Sequence, residues 1–177
     1  MRALATAIAL SLVAACGDAP SRQAPEAMGV ARVTPKNGST VRGVVSFSQK
    51  GDRVTVAGQF FELFPGPHSL YIHSIGNCSS PNAASAGPVW DVAGRTSGKR
   101  SGELPQINAG TEGRADFSIS VREISVGTGA PNDVIGHSVV VHADVDPDPK
   151  AEFGVRNGWV ACGVIQPSNA KTLRELL

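Results

Sequence analysis

The chain has 177 residues, which is the length of a single domain. Its 16 Lys and Arg residues nearly balance its 15 Asp and Glu residues, and this balance argues against a nucleic-acid-binding face, which would be basic. Hydrophobic residues make up 41% of the chain and charged residues 18%, so the composition excludes a disordered protein.

Residues 1–15 are typical of a secretory signal peptide, because one arginine precedes an apolar run that is too short to span a bilayer. The run ends in the sequence VAAC, which resembles the bacterial lipobox, whose cysteine is lipidated and begins the mature protein. That cysteine is Cys16. An ordinary signal peptide followed by an incidental cysteine is the alternative. We expect residues 16–28 to be a lipidated N-terminus with a flexible linker, and the protein to be a lipoprotein exported to the bacterial cell envelope, anchored in a membrane and facing the periplasm or the cell exterior.

Residues 29–167 alternate strand patterns with turn signals and predict one all-β domain. Valine outnumbers leucine by 20 to 9, and β-branched residues favour strands. The eight predicted strands cover residues 29–34, 41–49, 53–61, 68–75, 103–109, 114–121, 134–144 and 159–165. Their hairpin spacing, without helical periods between them, indicates an antiparallel barrel or sandwich. A tail follows at residues 168–177, where a short helix is expected.

Two cysteines, Cys78 and Cys162, lie within the predicted domain. An even pair in an exported domain most simply forms one disulfide, because export leads to an oxidising compartment. The bond would close a loop of about 85 residues and stabilise the fold by roughly 4–5 kcal/mol in the chain-entropy model. The spacing does not match a CxxC redox centre or a zinc ribbon.

The four histidines fall in two similar strings, which run from His68 to His73 and from His137 to His142. Positions five apart on a strand point to opposite faces, so neither string alone chelates one metal. Tyr71 shares a face with His73. If His73 and His142 meet across strands, their imidazoles form the nucleus of a copper or zinc site. Otherwise each is an ordinary hydrogen-bonded strand histidine. The chain has no HExxH, GxSxG or P-loop motif.

Most of the stretch from residue 30 to 166 resembles the copper/zinc superoxide dismutase family. The similar segments, in family order, are GPHSLYIHSIGNC (66–78), SAGPVWD (85–91), GELPQINAGTEGRADFSIS (102–120), VIGHSVVVHADVD (134–146) and WVACGVIQ (159–166). The resemblance implies an eight-stranded Greek-key β-barrel with two long loops over one face. It also implies a disulfide between Cys78 and Cys162.

By this resemblance, His73 and His142 stand at two positions that bind copper in the family. Tyr71 stands where another copper histidine is expected, and Val89 stands where a histidine bridges copper and zinc. Trp159 replaces the arginine that guides the anionic substrate to copper. The copper part of the site is therefore expected to be incomplete.

The zinc part of the site is expected to retain even fewer of its ligands. The matching stretches hold Ser97 and Arg100 where zinc histidines belong, and Glu103 stands at the position of the zinc aspartate, where it is a candidate carboxylate ligand. Asp146 matches an aspartate that links the two metal sites, and His68 matches a structural histidine that braces the barrel. A full site needs six histidines, but this chain has four, two of them at positions that bind no metal. We therefore do not expect zinc.

The leading hypothesis is a lipid-anchored member of the family whose catalytic site has degenerated, and which at most binds copper through His73 and His142. A protein that stores, buffers or delivers copper is one alternative. A copper-dependent superoxide dismutase with an altered site is another. We expect the membrane to be a partner through Cys16 and expect no nucleic-acid partner. The sequence leaves a homodimer open and does not identify a protein partner.

Overall fold

The computed structural model describes residues 27–94, 99–143 and 158–169. Ten strand segments run through this part of the chain: β1 (Ala27–Pro35), β2 (Arg42–Lys50), β3 (Arg53–Phe61), β4 (Gly66–His68), β5 (Leu70–His73), β6 (Ile107–Ala109), β7 (Ala115–Val121), β8 (Ser138–His142), β9 (Trp159–Val164) and β10 (Gln166–Ser168). A single 3-10 turn at Ala84–Ala86 is the one helical element among the described residues. None of these residues belongs to a helix long and apolar enough to cross a membrane.

The strands form one curled antiparallel sheet in the order β5-β8-β9-β1-β2-β3-β7, to which β10 adds by pairing with β1. A two-stranded sheet of β4 and β6 joins the two ends of this path. It does so because β4 leads into β5 past Ser69, and β6 turns into β7 at residues 110–114. The antiparallel β-barrel class predicted from the sequence is confirmed.

The strand boundaries differ from the predicted ones where the chain changes partner. The predicted strand 68–75 breaks at Ser69, because β4 pairs with β6 whereas β5 pairs with β8. The predicted strand 103–109 shortens to β6, and Pro105 within it has no N–H to donate to a ladder. The tight hairpin between β2 and β3 forms as expected, with Gly51 at a φ of 62° in the left-handed region.

Alternating residues of the strands fill the barrel with one apolar core. Phe47, Phe60 and Val45 are fully buried there, as are Val139 and Val141 of β8. Burial of one such side chain stabilises the fold by about 1.5–3 kcal/mol. Because side chains alternate along a strand, the residues of β8 between and beyond these valines point out of the barrel, toward the loop that follows β5.

A second, smaller apolar cluster lies on that outer side of β8 and β9. It consists of Val140, Cys162, Ala83 and Ala86, with Cys78 and Trp159 packed against it. We call it the outer cluster. It fastens the loop between β5 and the 3-10 turn to the outside of the barrel, next to the ends of β5 and β8.

The disulfide predicted from the cysteine count is confirmed, since Cys78 is bonded to Cys162 with their Cα atoms 5.7 Å apart. It joins the loop after β5 to β9 within the outer cluster. The Lys36 ammonium donates a hydrogen bond to the Cys78 carbonyl oxygen at 2.5 Å. The loop is thereby fixed covalently and by hydrogen bonding beside the histidines of β5 and β8.

Several predicted features lie outside the described residues. These are the signal peptide with Cys16, the linker up to residue 26, Ser97 and Asp146. The expected tail helix also lies outside them from residue 170 onward, whereas Ser168 ends β10.

Candidate metal centre

His73 and His142 come together on the outer face of the barrel. The β5–β8 register places His73 opposite Ser138, four residues from His142, a span of about 13 Å along a strand. The two rings lean toward each other across that span, so that their centroids are 6.1 Å apart. The pairing of β8 with β9 shifts by one residue between Val141 and His142, and such a bulge redirects a side chain.

Both imidazoles are buried, with 0% of His73 and 9% of His142 exposed. The Nδ1 atom of His73 lies 2.6 Å from the carbonyl oxygen of Gly87. A carbonyl only accepts hydrogen bonds, so Nδ1 carries the proton and Nε2 keeps its lone pair. Among the described residues, neither the Nε2 atom of His73 nor that of His142 has a hydrogen-bond partner.

Burial lowers the pKa of both histidines. Burial is the main cause at His142, and the neighbouring His73 lowers its pKa further, to about 4. Burial also lowers the pKa of His73, the hydrogen bond to Gly87 opposes that shift, and the charge of Arg100 adds to it. Both rings are therefore neutral near pH 7, which is the state in which imidazole binds a metal.

Two aromatic side chains enclose the histidine pair. The Tyr71 ring packs edge-on against His142 with centroids 4.7 Å apart. The Trp159 ring lies 4.8 Å from His73 and 5.9 Å from His142, centroid to centroid. Val89 is half-buried and forms an isolated backbone bridge with His73. The walls of the site are thus mostly uncharged.

Trp90, which follows Val89 in the sequence, does not pack against the two histidines. It lies in the barrel core, and its ring is 4.4 Å from that of His137, centroid to centroid. The Nδ1 atom of His137 in turn lies 3.1 Å from the Ser74 carbonyl oxygen. The indole beside the two histidines is that of Trp159, because β9 pairs Trp159 with His142.

An ion pair lies on the loop that leads toward β6. The Nε atom of Arg100 is 2.7 Å from the Oε1 atom of Glu103, and about a quarter of each side chain is exposed. The backbone of Glu103 bridges to that of Tyr71, which brings the pair next to β5.

The Copper/zinc superoxide dismutase (SODC) family model matches residues 41–165. The chain belongs to the copper/zinc superoxide dismutase family. It is also 36% identical to the superoxide dismutase [Cu-Zn] of Onchocerca volvulus over 145 residues, which cover 72% of this chain and 90% of that protein. The resemblance found in the sequence motifs is confirmed.

Compared with the family pattern, the copper half of the site retains a pair of donors. Imidazole nitrogens bind such metals at about 2 Å, so two rings that share one ion have centroids up to about 6 Å apart. The 6.1 Å separation of the His73 and His142 centroids lies at this limit. The chemistry of the two donors, a pair of neutral imidazole nitrogens, is of a kind that suits copper.

Of the positions that the resemblance assigns to zinc, those within the described residues do not offer zinc its usual ligands. Zinc takes four nitrogen, sulfur or oxygen ligands, and Val89 offers none. Glu103, the candidate carboxylate ligand, is instead paired with Arg100, so a guanidinium already neutralises it. No group of three or more His, Cys, Asp or Glu side chains that could hold a metal occurs among the described residues. Glu103 thus makes an internal salt bridge at the position where the resemblance places a zinc ligand.

His68 lies behind the site and connects β4 to the end of β8. Its Nδ1 atom is 2.9 Å from the carbonyl oxygen of His142, and its Nε2 atom is 2.7 Å from that of Phe64. The backbone N–H of His142 donates to the Ser69 carbonyl oxygen at 2.9 Å. The backbone of His142 is thus held from both sides, which fixes the position from which its ring projects.

Proposed function

We propose that this chain is a copper-binding member of the superoxide dismutase family whose catalytic site has degenerated, and that His73 and His142 hold the copper. The observation that carries the proposal is the pair of buried, neutral rings whose Nε2 atoms find no hydrogen-bond partner in the described part of the chain. Leaving one buried polar atom without a partner costs about 1–3 kcal/mol. One ion between the rings satisfies both atoms at once.

The donor set favours copper over the other metal of the family. Among divalent first-row metals, copper binds nitrogen donors most tightly, and it does not require a closed four-ligand shell of side chains. Zinc would have to recruit further ligands at Val89 and Glu103, which are apolar and salt-bridged respectively. Copper is therefore the metal expected on His73 and His142.

The residues around His73 and His142 are poorly suited to superoxide dismutation. Bound copper supplies one-electron redox chemistry, and family membership makes superoxide the substrate of any activity. The side chain of Val89 has no nitrogen that could bind a metal or hold a proton. Trp159 is uncharged, so no cation at that position attracts an anion, and the charge of Arg100 is engaged by Glu103. We therefore expect dismutation to be slow.

The test is a titration of the metal-free protein with Cu(I) and Cu(II) against a competing chelator. We expect one copper per chain, loss of binding in His73→Ala and in His142→Ala, and retention in the control His137→Ala. Binding that survives in both of the first two variants, or no copper at all, overturns the proposed site. Dismutation by the copper-loaded protein at a rate near the diffusion limit overturns the proposed degeneracy.

We also propose that the protein acts at a membrane of the cell envelope, anchored by lipid on Cys16. The sequence of residues 1–16 supports this location. A single lipid-bearing residue would hold the barrel at the membrane surface without a spanning segment. Cys16→Ser should move the protein from the membrane fraction to the soluble fraction, whereas an unchanged distribution contradicts the anchor.

A further inference from the structure

We propose that Trp159 forms the third side of the histidine site and makes it selective for a soft univalent cation, Cu(I), over divalent metal ions. The proposal rests on the copper site proposed above and specifies the form of the ion that it holds. Three features carry it, namely the position of the indole, the charge of the donors and the packing that holds the indole in place.

The indole lies within cation–π range of the space between the two imidazoles. The ring centroids of His73, His142 and Trp159 form a triangle with sides of 6.1, 4.8 and 5.9 Å. The median of that triangle places the Trp159 centroid about 4.4 Å from the midpoint of the two imidazole centroids. This distance is inside the limit of about 6 Å that holds for a cation over the face of an aromatic ring. Tryptophan is the aromatic residue that attracts cations most strongly.

The charge of the donors favours one positive charge over two. His73 and His142 are neutral donors, and the side chains of Tyr71 and Trp159 that pack against their rings carry no charge. The one charge that acts on the pair among the described residues is the positive charge of Arg100, which opposes a divalent ion more strongly than a univalent one. The cost of moving an ion out of water rises with the square of its charge, so a divalent ion needs much more compensation than a univalent one. Cu(II) also takes tetragonal sets of nitrogen and oxygen ligands. Two neutral imidazoles and an indole therefore suit Cu(I) better.

The indole is held in place by the fold. Trp159 begins β9, where its backbone pairs with His142, and its side chain packs against the outer cluster. The disulfide between Cys78 and Cys162 closes that cluster. A ring fixed in this way contributes to binding without first losing conformational freedom, which is the benefit of preorganisation.

The experiment uses Ag(I), a redox-inert univalent analogue of Cu(I), and the full-length protein without other metals. Affinities for Ag(I) and Cu(II) are compared in the wild type, Trp159→Phe and Trp159→Leu, with thermal unfolding to check that each variant folds. In Trp159→Leu we expect the Ag(I) affinity to fall about tenfold, within the range of a desolvated cation–π contact, and the Cu(II) affinity to stay within about twofold. Trp159→Phe, which keeps an aromatic ring, should have an Ag(I) affinity between those of the wild type and Trp159→Leu.

Fluorescence supplies a second readout. The chain has two tryptophans, so Trp90→Phe leaves Trp159 as the only indole, and one equivalent of Ag(I) should change its emission. Unchanged Ag(I) affinity in Trp159→Leu overturns the role of the indole, and so does an equal loss of Ag(I) and Cu(II), which marks a structural role. These two results leave the histidine site intact if His73→Ala still abolishes binding. Absence of any Ag(I) or copper binding to the wild type overturns both proposals.

Discussion

Acid should destabilise the metal-free barrel through His142. The pKa of its imidazole is about 4 in the folded protein, whereas the ordinary histidine value of 6.5 applies to the unfolded chain. Between these values the unfolded chain binds more protons than the folded one, so the free energy of unfolding falls as the pH falls. The contribution of His142 is fully present above about pH 6.5, is lost progressively toward pH 4, and does not change further below that pH. The full difference is about 3 kcal/mol.

The measurement is urea unfolding of the wild type and of His142→Gln at a series of pH values from 7 to 4, with chelator present. Substitution of a buried ring changes stability at every pH, so the informative quantity is how the difference between the two proteins depends on pH. The contributions that the carboxylates make to the free energy of unfolding are the same in both proteins and cancel in that difference. The pKa of His73 is lowered in the same direction, so the variant should retain part of the slope. Parallel pH profiles, or an NMR titration midpoint of His142 near 6.5, refute the reasoning.

Three further predictions follow from the loops around the site. Replacing both Cys78 and Cys162 by serine should lower the free energy of unfolding by about 4–5 kcal/mol, measured in urea, because a cross-link that spans 84 residues is lost; a loss below 1 kcal/mol would contradict this. A double-mutant cycle with Arg100→Gln and Glu103→Gln should give a coupling of about 1 kcal/mol in thermal unfolding, and Zn(II) should not raise the melting temperature of the wild type. Val89→His should increase Cu(II) affinity by adding an imidazole, whereas the control Val89→Ile should not; equal affinities in the two variants count against the site.

The barrel could be predicted because the signals for its strands and turns lie within short stretches of the sequence. Alternation in the stretches that became β2, β3 and β7 is a period-two signal, and turn residues such as Gly51 mark where strands reverse. The break at Ser69 was not predictable in this way, since it reflects which strands pair with β4 and β5. The disulfide followed from the number of cysteines and from the predicted export.

The candidate site was predictable only in part. Alternation correctly places Val140 and His142 on one face of β8, with Val139 and Val141 on the other. The approach of His142 to His73, however, depends on register and on a bulge, which no single strand encodes.

The neighbours of the site depend on packing over long separations in the chain. The family resemblance places Trp159 next to the copper position, but the residues that flank the two indoles do not by themselves show that Trp159 packs against the histidines and Trp90 lies in the core. The salt bridge between Arg100 and Glu103 could not be predicted either, because two charged residues three positions apart in an irregular loop have no fixed geometry.

The most direct test of the central claim is a long-range ¹H–¹⁵N NMR spectrum of the histidine side chains before and after one equivalent of Cu(I), which is diamagnetic. The copper site proposed here predicts that the Nε2 resonances of His73 and His142 shift together and saturate at one equivalent. The resonances of His68 and His137 should shift far less. Unmoved Nε2 resonances of the pair, or a larger response from His68 or His137, would contradict a copper site built on His73 and His142.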